Sequence, residues 1–150
     1  MSSTVIQDTR EHVVDVTAAN YSLTDDIPAN RIVLLDTTNL MTTTQPRGVV
    51  LPSAGGGVAG TFGVTVDQLY KRPSATANVR PGRVAITGSG IGVIADGAIT
   101  AGQYVQASDT AGKLGYAKVA GAGIQQVGQA ETSAADGEVC FIRIDKARNA

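Results

Sequence analysis

The chain has 150 residues, a formal net charge of −1 and 17% charged side chains, so it offers no broad basic field to neutralise a phosphate backbone, and nucleic acid is excluded as an expected partner. Trp is absent, aromatic residues make up 4% and Gly fills 18 positions, which favours short strands and many turns around a thin Ala/Val core over a wide pocket lined by rings. Cys140 is the only cysteine, so no internal disulfide forms, and no segment reaches the ~18 apolar residues of a membrane span.

Residues 1–12 are polar, with Val5 and Ile6 as apolar anchors, and read as an arm that gains order on docking. It begins without the basic flank and apolar run of a signal peptide, so folding inside a cell is expected. Val13–Thr17 alternates, the pattern of a half-buried strand. Arg31–Leu35 is apolar almost throughout, which suits a strand covered on both sides. Residues 36–60 are the least regular stretch, with Thr42, Thr43 and Thr44, then Pro46, Pro52 and Gly55-Gly56-Gly57; Val49–Leu51 predicts a brief strand inside it. A long connection of this kind is usually functional or mobile. Val64–Asp67 alternates again. Val66–Lys71 comes nearest to a helical period, for a turn or two. Pro73–Asn78 reads as a turn, Arg83–Ile86 as a strand, and Gly88–Gly92 as a link between halves. Ser108–Lys113 reads as a hairpin turn, because Asp and Gly tolerate positive φ. Along Val139–Ile144, alternation puts Cys140, Ile142 and Ile144 on one face.

A segment pattern is written twice. Ile27–Leu34 is echoed by Ile99–Gln106; Phe62–Val66 by Val127–Ala130; Val79–Ile86 by Ala134–Ile142. Gly82 and Gly137 mark the same turn in this reading. The expected fold is therefore all-β: a compact β-barrel or β-sandwich of two related halves, spanning residues 27–86 and 99–144 within a single domain at 13–150, preceded by the arm. The first copy is longer, and its excess falls in the Thr- and Gly-rich loop.

Candidate chemistry is sparse. Gly55-Gly56-Gly57-Val58-Ala59-Gly60 satisfies the dinucleotide glycine fingerprint, but that site needs a helix N-terminus to receive the pyrophosphate, and the following Thr61–Val66 is β-like. His12 is the only histidine and has no set of partners for a metal, so it reads as a solvent-facing or interface residue. Cys140 reads as a small core residue. Asp25-Asp26, with Asp136 and Glu138, are either carboxylate pairs for hydrolysis or calcium, or turn caps; the shortage of stacking rings favours caps. Ser89 lacks the remaining glycine of a nucleophile elbow. Lys71-Arg72 and Arg80-x-x-Arg83 read as solvated turn charges. The acidic start and basic end of the chain are suited to pairing with each other or with neighbouring subunits. No cofactor and no metal are expected, and the chain is not expected to be an enzyme.

Ala98–Val105, the Asp109–Lys113 turn, Val127–Ala130 and Ala135–Ile144 resemble the C-terminal half of small capsid cement or head decoration proteins of tailed bacteriophages. There the pattern runs from I-x-A-G-x-x-V through V-G-x-A to A-x-G-x-V-x-V-x-L. Pro28–Leu34, Phe62–Val66 and Pro81–Ile86 repeat its logic, so the resemblance covers about residues 12–145. The loop from Asn39 to Gly60 departs from the short version of the pattern. The resemblance implies a non-enzymatic β protein made in the host cytoplasm and bound to the outer capsid surface of the virion. It further implies the major capsid protein as partner and a homotrimeric state, with no membrane partner. On that reading Val5, Ile6, Arg10, His12, Thr42, Thr43, Thr44, Arg47, Val49 and Leu51 are the candidate capsid or subunit contacts. The alternatives are a host- or glycan-binding β module displayed on a virion or cell surface and, last, a small hydrolase.

Overall fold

The computed structural model describes residues 16–18, 26–36, 47–70 and 83–146. Among these there is no helix, and ten strands form two five-stranded sheets. The first holds β1 (Val16–Ala18), β2 (Ile32–Leu35), β3 (Arg47–Val50), β4 (Thr61–Thr65) and β5 (Val84–Ala85), in the order β1-β3-β2-β4-β5. The second holds β6 (Ile91–Ile94), β7 (Tyr104–Ala107), β8 (Ala117–Val119), β9 (Gly128–Ala130) and β10 (Val139–Ile144), in the order β6-β10-β9-β7-β8. The fold is all-β, as expected. Val66–Tyr70 carries no helical turn: Leu69 bridges back to Ile27 instead.

The two sheets are wired alike down to single hydrogen bonds. Val33 pairs with Gly63 as Val105 pairs with Gly128, and Leu35 pairs with Val49 as Ala107 pairs with Ala117. The Ile27–Leu69 bridge is matched by Ile99–Ala134. The Asp36 N–H donates to the Gly48 carbonyl at 3.0 Å, and the Ser108 N–H to the Tyr116 carbonyl at 2.7 Å. The last strand departs from the sequence echo. Thr65 pairs with Val84 as Ala130 pairs with Ile142, so Val84 corresponds to Ile142, further along β10 than the matching of Gly82 with Gly137 implies. Gly82 itself lies outside the described residues.

Each half also opens with its own strand. β1 runs parallel to β3 through Ala18 and Val49, and Ala95, just after β6, makes a parallel bridge to Ala117 of β8. In the second half β6 pairs with β10 as well, so the bridge joins the two ends of that sheet and curls it toward a barrel. The segment read as a link, Gly88–Gly92, therefore ends inside a strand. Its glycines masked the alternation of Ile91 and Val93, both buried. At Gly92 a Cβ would stand 3.2 Å from the Val139 side chain of the neighbouring strand, a tight approach.

Strand alternation then decides what each face does. In the first half Ile27, Val33, Val49, Leu69 and Val84 point inward and form a cluster of their own. Their counterparts Ile99, Val105, Ala117, Ala134 and Ile142 line the interior of the second half. The opposite face of the first sheet carries Ile32, Val64 and Ala85, and these are buried in one cluster with the second half. Strand β2 is thus buried on both faces at Ile32 and Val33, while Leu34 and Leu35 are half-buried. Burying each such side chain stabilises the fold by about 1.5–3 kcal/mol for the larger residues. Cys140 is fully buried in the same cluster as Ile142, and burial pushes its thiol pKa up although its Sγ–H reaches the Thr132 carbonyl at 3.3 Å.

Candidate interaction surfaces

The turn that leads into β2 is held by a polar network. Asn30 holds a left-handed conformation, φ 61°, and its N–H donates to the Thr65 carbonyl at 2.8 Å. The fully buried Thr65 hydroxyl accepts the Arg31 N–H at 3.0 Å and donates to the Pro28 carbonyl at 2.7 Å. The Arg31 guanidinium then stacks over the Tyr116 ring at 4.6 Å from its centroid, tying the turn to the second half.

The glycine-rich loop is a clasp between halves. The Gly55 N–H donates to the Asp109 carbonyl at 2.9 Å, the Gly57 N–H to the Asp109 carboxylate at 3.0 Å, and the Gly60 N–H to Gln125 at 3.2 Å. Asp109 also pairs with Lys118 at 3.3 Å. The Gly57 N–H and Lys118 together hold the Asp109 carboxyl below its ordinary pKa. Val58 inserts into the shared core. No helix follows Gly60, and the amides of Gly55, Gly56, Gly57 and Gly60 are all spent on acceptors of the same chain, so the loop has no nucleotide geometry. Sequence reasoning missed this clasp because its partners are separated by about fifty residues and Asp109 reads as an ordinary turn residue.

Asp136 and Glu138 cap turns, whereas Asp25 lies outside the described residues and Asp26 accepts from the Gln68 side chain at 3.3 Å. Asp136 accepts the Gly97 N–H at 2.8 Å, and Glu138 accepts the Ala135 N–H at 3.0 Å. Lys113 sits between Asp136 at 2.9 Å and Asp96 at 3.1 Å, and the Ser108 hydroxyl donates to Asp96 at 2.6 Å. For Asp96, burial works against ionisation, but Ser108 and Lys113 outweigh it and bring the pKa below the usual carboxylate value. Asp136 is lowered by the Gly97 N–H and by Lys113, and Lys113 is raised in return by Asp136 and Asp96. Among the described residues no three His, Cys, Asp or Glu side chains are grouped to hold a metal ion. Arg83 forks onto Asp67 at 2.9 and 3.1 Å. Lys146 donates to the Phe62 carbonyl at 2.8 Å, so part of the basic end is bound within the chain.

Most of the candidate contacts from sequence, namely Val5, Ile6, Arg10, His12, Thr42, Thr43 and Thr44, lie outside the described residues. Arg47 begins β3. Val49 does not offer a surface contact: it is fully buried in the inner cluster of the first half, because strand alternation turns it away from solvent. Leu51 is half-buried against the same cluster. The outward part of this stretch is Ser53–Gly57, which is exposed.

A second surface emerges from the structure alone. On the outer face of the second sheet Tyr104 is opposite Gln129, Gln129 is opposite Arg143, and Arg143 donates to Gln129 at 3.0 Å. Val139 and Phe141 share that face and are 42% and 45% exposed. Alternation along β10 carried the signal for Val139 and Phe141, but which face of the sheet is covered depends on how the halves meet.

These features define an all-β protein of two sheets with matching internal pairing, its loops used as clasps between them. The fold is similar to that of the head fiber gp8.5 N base in bacteriophage phi29, with a TM-score of 0.57 over 93% of this chain and 97% of that one, at 14% sequence identity. No family model and no curated protein sequence matches the chain.

Proposed function

We propose that this chain is a structural component of a bacteriophage head, bound as an oligomer to the outer surface of the mature shell and stabilising it. The observation that carries the reading is the fold likeness to a head fiber base, which extends over nearly the whole of both chains. The resemblance of Ala98–Ile144 to head decoration proteins points the same way from sequence. The role is structural rather than catalytic, with the major capsid protein as partner.

A protein that binds the expanded shell better than its precursor stabilises the expanded state by that difference in affinity, and many symmetric copies multiply a modest contact. On this reading the arm residues Val5, Ile6, Arg10 and His12, with Thr42–Thr44 and the exposed Ser53–Gly57 stretch, meet the shell. Val49 and Val58 hold the loop from beneath. The test is co-sedimentation of the purified chain with expanded heads and with proheads. Stoichiometric, saturable binding to expanded heads with weaker binding to proheads is the expected result. Saturable binding to glycans or cells with none to heads overturns it.

A further inference from the structure

In the first half, the sheet face carrying Ile32, Val64 and Ala85 is covered by the second half of the same chain. By strand register the corresponding residues of the second half are Tyr104, Gln129 and Arg143. That face is open: Tyr104 is 39% exposed, and Val139 and Phe141 extend the same surface. We propose that this face is the seat of a second copy of the chain, placed head to tail so that the contact between the halves is continued between molecules.

Three observations converge on that occupant. First, the face is continuous in kind with an interface that the protein already makes, since the equivalent surface one repeat earlier has a related module packed on it. Second, its composition is that of an interaction surface: Tyr, Phe and Arg are enriched where proteins associate, and here they stand with Val139 on one sheet face. Third, the strands that a second copy must present are in place. Within the chain the second half approaches through β6 and the turn before β8, where the Gly115 carbonyl accepts the Ile32 N–H at 2.7 Å and the Ile94 N–H donates to the Asn30 carbonyl at 3.3 Å. The first-half strands that correspond to β6 and β8 are β1 and β3, and β1 ends its sheet. Such a contact uses different surfaces on the two partners, so it closes into a ring when the rotation permits. The inference supplies a surface for the self-association in the functional reading but rests on register, and it stands or falls without a phage head.

The experiment measures the native mass of the full chain by sedimentation across a concentration series, without heads. The unsubstituted protein is expected to form a discrete oligomer. Tyr104→Glu and Phe141→Glu are each expected to weaken it by about tenfold or more, with an unchanged far-ultraviolet circular dichroism spectrum. Ile124→Glu, at an exposed apolar position beside the glycine-rich loop, is expected to associate like the parent. Should a glutamate variant fail to fold, Tyr104→Ser and Phe141→Ser, milder changes at the same exposed positions, are expected to weaken association in the same direction. The proposal is overturned by a parent that stays monomeric or by face variants that associate normally.

Discussion

Asn30 and Gly102 occupy the same point of the two sheets. Both are left-handed, with φ of 61° and 94°, and each N–H donates over 2.8 Å to an equivalent strand carbonyl, of Thr65 and of Ala130. The turn demands positive φ, and Asn is the non-glycine residue that bears it best. Asn30→Gly is therefore expected to change stability by less than about 0.5 kcal/mol, whereas Asn30→Val is expected to cost about 1–2 kcal/mol. Urea unfolding midpoints measure both; equal losses in the two variants refute the conformational account.

Gly63 and Gly128 are a second matched pair, required for closeness rather than for φ. A Cβ on Gly63 would collide with the Ala85 carbonyl oxygen, and one on Gly128 with the Arg143 carbonyl oxygen. Backbone cannot move aside as a flexible side chain can. Gly63→Ala and Gly128→Ala are each expected to destabilise by about 1–3 kcal/mol through overpacking, while Gly123→Ala, with open space around it, is expected to cost about 1 kcal/mol through its positive φ alone. Thermal unfolding of the three variants separates the two causes.

The residues that carried the sequence reading are those whose reasons are local. Ile27 and Ile99, Asn30 and Gly102, Gly63 and Gly128 recur because a turn or a close strand approach leaves few residues that fit, and such constraints are visible in one dimension. Alternation likewise revealed the buried Cys140 and Ile142. β8 was illegible because Ala117-Lys118-Val119 has little strand propensity and is held by pairing with β7. The slip of β10 relative to β5 was also hidden, since register is set by the partner strand. Of the candidate surfaces, the glycine loop was legible as special but not as a clasp. Alternation along β10 marked Val139, Phe141 and Arg143 as sharing a face, but which face of the sheet stays outward depends on the arrangement of the halves.

The Asp96 network fixes the sign of the acid response. The folded pKa of Asp96 lies below the ordinary carboxylate value, as do those of Asp67, Asp109 and Asp136. The unfolded chain therefore binds more protons in that region, and the stability from these carboxylates is full above the unfolded value and lost as pH falls through the folded ones. Asp96→Asn is expected to be less stable than the parent at neutral pH, with a gap that narrows below about pH 4. Denaturant titrations at neutral and acid pH measure it; a gap that widens in acid refutes the assignment.

Asp109 is where the long loop of the first half is tied down. Its carboxylate accepts the Gly57 N–H and its carbonyl the Gly55 N–H, so one residue holds two turns of a loop that projects Ser53–Gly57 to solvent. Asp109→Ala removes the first bond and the Lys118 pairing but keeps the second, because the carbonyl remains. Gly57 is then expected to lose amide protection while Gly55 keeps most of its own. Global stability should fall only slightly, since solvent screening leaves a hydrogen bond to a charged group near the surface with a small net contribution. Hydrogen exchange resolved at single amides distinguishes this from general loosening, in which both glycines exchange faster together. The same variant probes function: a shell contact through Ser53–Gly57 needs the loop held in shape, so head binding is expected to weaken more than stability does. Unchanged binding with an exchanging Gly57 would move the contact away from this loop and onto the arm.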